Sequence, residues 1–95
     1  MTATMVLAER LDLPAARPLA RDLLANAGAD LAIDAGRVAH LGGLALQLLI
    51  AATRRWRAEG LCLTVAPRSV AFDDAVRLFG VAAGDLPDAG DATCR

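Results

Sequence analysis

Two short apolar runs, DLAIDAG (Asp30–Gly36) and LCLTVAP (Leu61–Pro67), flank a long helical segment, GLALQLLIAATRRWRAEG (Gly43–Gly60). This order constrains the fold more than any other feature. A strand followed by a helix and a second strand closes most simply as a parallel pair joined by a crossover. Both runs are short and end in Asp, Gly or Pro, as strands do. Their apolar character reads as strands covered on both faces, the pattern of a parallel sheet. A weaker run, MVLAERL (Met5–Leu11), adds one further short strand. The expected class is α/β, a small and mainly parallel sheet with helices packed against it.

The other helices carry their own punctuation. In LDLPAARPLARDLLANAG, Asp12 can cap, Pro14 suits a first turn and Gly28 suits the stop. Leu19 and Leu23, with Ala16, Ala20 and Ala27, recur at helical spacing and mark its buried face. SVAFDDAVRLFG opens on a capping Ser69, sets Asp73 and Asp74 near the positive end of the helix dipole and closes at Gly80. Phe72, Ala75, Val76 and Phe79 share its expected buried face. After Val81 the chain turns to Gly, Pro and Asp, so residues 1–83 read as one domain and 84–95 as a flexible tail.

Composition excludes several functions. A formal net charge of −1, with scattered arginines and no lysine, offers nucleic acid no basic stripe. The longest apolar run, Gly42–Ala52, is broken by Gln47 and is too short to insert in a bilayer. MTATMVLAER lacks the pattern of a secretory signal. The two cysteines, Cys62 in an apolar run and Cys94 near the end, read as neither a disulfide framework nor a metal site, and Cys62 as an inert core residue. A reducing cytoplasm is the default compartment, and no cofactor is implied.

The central helix carries more apolar residues than one sheet face can use. A stripe of Leu44, Leu48 and Ala52 can face the sheet, but Leu46, Leu49 and Ile50 cannot all join it, because each residue turns the helix by about 100°. The surplus either packs on a neighbouring helix or forms an exposed strip that meets another protein or a second copy. Trp56, with Arg54 and Arg57, either rims that strip or closes the edge of the core.

The order of these pieces resembles the STAS domain, the family of bacterial anti-sigma-factor antagonists and of the cytoplasmic modules of sulfate transporters. Leu11–Asp12 stands where the family has "G-x-LD" leading into its first helix. LAIDAGRVAHLGGLALQLL resembles its "LDLSxVxxIDSSGLxxLL", and SVAFDDAVRLFGV its closing "SpxVxxlLxxlGL". Together they span about residues 5–82. A narrower likeness is to small STAS proteins of bacterial chemotaxis gene clusters. The family's switch is a phosphorylatable Ser or Thr at the start of the second helix, where phosphate adds about −1.5 to −2 charges. Setting DSSGL on His40–Leu44 places His40 at the usual Asp and Gly42 at the acceptor, which therefore has no hydroxyl.

The resemblance implies a non-enzymatic protein-binding module of bacterial signal transduction, with a kinase or chemotaxis component as partner. Its expected docking face is Arg37, His40, Leu41, Gly42, Gly43, Leu44 and Gln47. Two rivals share the residues. An accessory subunit of a membrane transport ATPase would use the same face. A small α/β enzyme would use His40, whose ordinary pKa near 6.5 suits proton transfer, but the loop supplies no companion His, Ser or carboxylate pair. The Gly42–Gly43 pair lacks the rest of any phosphate-loop motif and reads as a tight turn with close backbone approach.

Overall fold

The structure is a computed structural model, described here for residues 2–87. The chain runs β1 (Thr2–Val6), β2 (Arg10–Leu11), a 3-10 turn (Leu13–Ala15), α1 (Ala16–Ala25), β3 (Asp30–Ala35), β4 (His40–Leu41), α2 (Gly43–Ala58), β5 (Leu63–Arg68), α3 (Val70–Leu78) and a second 3-10 turn (Ala83–Asp85). The main sheet has the order β1-β3-β5 and is parallel throughout, as the strand–helix alternation predicts. The apolar run at Met5–Leu11 is not one strand. It divides between β1, which pairs with β3, and β2, which forms a separate two-residue ladder with β4. Among the described residues no helix is long and apolar enough to cross a membrane.

β3 shows that only one sheet face carries the core. Leu31, Ile33 and Ala35 are buried, whereas Asp30, Ala32 and Asp34 between them are half-buried. On β1, Met5 is buried and Thr2, Thr4 and Val6 are exposed. The expectation of strands covered on both faces is therefore corrected. Asp30 and Asp34 are the reason: with the small Ala32 between them they alternate with the buried positions and mark the more open face.

α2 sits rotated from its expected stripe. Its buried residues are Ala45, Leu46, Leu49, Ala52, Thr53 and Trp56, while Leu44 is exposed and Leu48 and Ile50 flank the core half-buried. Trp56 sets this face. Its indole N–H donates to the Ala29 carbonyl at 2.7 Å, and the rest of the ring is enclosed. Residues one, two and three turns earlier on the same side are Thr53 and Ala52, Leu49, and Leu46 and Ala45. The Thr53 hydroxyl is satisfied within the helix by the Leu49 carbonyl at 2.9 Å. Most of the apparent surplus is thus consumed inside one chain, each leucine contributing about 1.5–3 kcal/mol by burial. Trp56 is a core residue and rims no surface.

α1 packs beside α2 through Leu19 and Leu23, with Ala16 also buried. α3 opens on Ser69, whose hydroxyl oxygen accepts from the Phe72 amide at 3.0 Å, and it sends Phe72 into the core. Beyond residue 83 the chain runs back onto β5. Leu86 is buried, the Pro87 carbonyl accepts from the Val65 amide at 2.8 Å, and the Arg68 guanidinium donates to the Leu86 carbonyl. Residues 84–87 form a strap on β5. The remainder of the expected tail, Cys94 included, lies outside the described residues. Cys62 is half-buried and is not a free thiol, which departs from the inert core cysteine expected.

Candidate docking surface

The segment between β3 and α2 is held from two sides. After β3 the Gly36 amide donates to Asp34 Oδ1 at 2.8 Å, which turns the chain. Val38 then drops into the core, and its carbonyl accepts from the Ser69 hydroxyl. On the other side, the Glu9 carbonyl accepts from Ala39 at 2.7 Å and from His40 at 3.1 Å, and the Leu11 carbonyl accepts from Gly42 at 2.9 Å. The amides of Gly36, Val38, Ala39, His40 and Gly42 therefore go to protein partners, and the loop's outward side chains are presented from a fixed frame.

The candidate residues divide accordingly. Arg37, His40 and Gln47 are exposed, and Leu44 is 46% exposed. Leu41 is only 5% exposed: it pairs with Leu11 and joins the core, so its side chain cannot meet a partner as expected. Gly42 and Gly43 are half-buried. Among the described residues no group of three or more His, Cys, Asp or Glu side chains could hold a metal ion, so His40 has no such cluster around it.

Gly42 is required by close approach. Its φ of −82° is open to any residue, but a Cβ there would lie 2.9 Å from the Leu11 carbonyl oxygen. A side chain at this position must push β2 away from the start of α2. At Gly43 the situation differs, since a Cβ would meet the Phe79 ring at 3.6 Å, an ordinary contact.

Phe79 is the residue that sequence reasoning missed. It was placed on the buried face of α3 with Phe72, but it caps the helix at its C-terminal end and is 53% exposed. Its ring lies over Gly43, so it extends the apolar surface that Leu44 begins. One signal was legible: adjacent Leu78 and Phe79 cannot both face inward on one short helix. The structure leaves both exposed. The result is a fixed patch with an apolar centre, Leu44 and Phe79, on α2's first turn and the end of α3, beside a loop bearing His40.

The chain matches no family model, no curated protein and no solved structure.

Proposed function

We propose that this chain is a STAS-like, non-enzymatic docking module of bacterial signalling, chemotaxis included, that binds its partner constitutively through the start of α2. Support comes first from one observation: a hydrogen-bonded loop leads into a first turn where Leu44 is exposed and the exposed Phe79 ring lies over the neighbouring Gly43, with His40 beside Gly42. Small rigid apolar patches of this kind are how protein partners are held. The α/β class and parallel sheet agree with the STAS resemblance without identifying the family.

The constitutive character follows from Gly42. The position that the resemblance assigns to the phospho-acceptor has no hydroxyl and no room for a side chain against the Leu11 carbonyl. Regulation would then act on the partner. A cytoplasmic setting belongs to this reading through the resemblance alone, because Cys62 is not a free thiol and the argument from cysteine usage falls away.

The test has two readouts on protein purified from its source cells. Affinity capture with wild type and Leu44→Asp as baits should yield a signalling protein held by the first and lost by the second. Phosphate mapping should find residues 37–47 unmodified. A membrane transport ATPase on the wild-type bait would transfer the face to the transport reading, and phosphate on His40 would end the constitutive one.

A further inference from the structure

The two outer edges of the main sheet are finished differently. β5 carries several of the common protections against stray strand pairing. Pro67 has no amide to offer, Arg68 is charged, and the register with β3 breaks between Ile33 and Ala35. The strap then occupies the Val65 amide through Pro87. β1 has none of these. Its register with β3 runs unbroken from Thr2↔Asp30 to Val6↔Asp34, and no charged residue or proline lies between Thr2 and Ala8. Among the described residues β1 pairs with β3 alone.

The hydrogen-bond phase fixes which backbone groups point outward. The Leu7 amide donates to the Asp34 carbonyl at 2.9 Å, so Ala3, Met5 and Leu7 face β3. Alternation turns the N–H and C=O groups of Thr2, Thr4 and Val6 to the open edge. This outward set is symmetric about Thr4. A groove of about 290 Å³ adjoins the same edge, lined by Met5, Val6, Ala8, Pro18 and Leu19 among others and by no residue of β3, so it opens on the free side of β1.

We propose that β1 pairs with β1 of a second copy, antiparallel about a two-fold axis at Thr4. In this register Thr2 lies opposite Val6 of the second copy and Thr4 opposite its equivalent, so every outward amide and carbonyl finds a mate. The segment is uncharged, so no like charges meet across the axis. The axis runs perpendicular to the sheet and keeps both sets of helices on one side. Ala3 of the second copy then lies opposite Met5, over one end of the groove. Two domains become one continuous sheet ordered β5-β3-β1-β1-β3-β5. A five-residue edge buries little surface, so the dimer is a weak one that forms at high concentration.

Thr4 meets only itself, which supplies the test. Sedimentation equilibrium of the full chain should show the mass rising with concentration from 9.8 kDa toward twice that value. Thr4→Lys and Thr4→Glu, each checked by thermal melt, should each weaken self-association about fivefold or more. An equimolar mixture of the two should associate again at least as well as wild type. A wild type that stays monomeric, a Thr4→Lys protein that dimerises normally, or a mixture that stays monomeric would each overturn the proposal.

Discussion

At its C-terminal end α2 buries Trp56 to 2% exposure and commits the indole N–H to Ala29, while at its N-terminal end Leu44 remains 46% exposed beside a Phe79 that is 53% exposed. Both ends carry large apolar side chains; the C-terminal end commits Trp56 to the core, whereas the N-terminal end buries Leu46 and leaves Leu44 outside. The C-terminal half is closed by α1, β5 and the loop before β3. The N-terminal half meets β2, β4 and the end of α3, elements too short to cover Leu44 as well as Leu46. Apolar content along a helix therefore reports neither stability nor docking by itself, and the neighbour that arrives from elsewhere in the chain decides.

The contrast can be broken most forcefully at Trp56. Trp56→Ala should cost about 3–5 kcal/mol, because it opens a large cavity and strands the Ala29 carbonyl. Against the usual total of about 5–15 kcal/mol for a domain, urea unfolding should show a chain close to its limit. A loss below 1 kcal/mol would mean that this end of α2 is not the anchor.

The adjacent glycines sharpen the comparison at the other end. Gly42→Ala should destabilise by about 1–3 kcal/mol, since its methyl meets the Leu11 carbonyl and cannot be accommodated without moving β2. Gly43→Ala should change stability by less than about 0.5 kcal/mol or raise it slightly, since the Phe79 ring leaves room and alanine favours helix. Equal midpoints in denaturant for the two variants would remove the close-approach account of Gly42. Smallest of all, Leu44→Asp should shift the melting midpoint only slightly, by an amount corresponding to less than about 1 kcal/mol, while abolishing partner capture.

Much of the architecture was legible because it rests on local signals. Ser69 caps α3 as its sequence position announces, and β3 and β5 lie within a residue or two of the apolar runs. What escaped depends on pairings between distant segments. The division of Met5–Leu11 into β1 and β2 follows from two different partner strands, and the two-residue β4 exists only because Glu9 and Leu11 reach it. The rotation of α2 follows from a hydrogen bond between Trp56 and Ala29, residues 27 apart. The order of residues 84–87 depends on carbonyls taken by Arg57, Val65 and Arg68, which composition cannot show. At the candidate site, the position in the loop and first turns puts Arg37, His40 and Gln47 on the surface, where they lie; Leu44, expected on both the sheet-facing stripe and the docking face, is on the surface, and Leu41 and Phe79 exchange their expected places.

The central claim is that the start of α2, and not apolar surface in general, holds the partner. Leu24 on α1 offers the control, being 61% exposed beside a separate groove formed with Leu48 and Arg55. Titration calorimetry of the captured partner against wild type, Leu44→Asp and Leu24→Asp measures the difference directly. Binding should weaken by at least about tenfold with Leu44→Asp and stay unchanged with Leu24→Asp. Unchanged binding by Leu44→Asp, or equal weakening by both, would contradict the account.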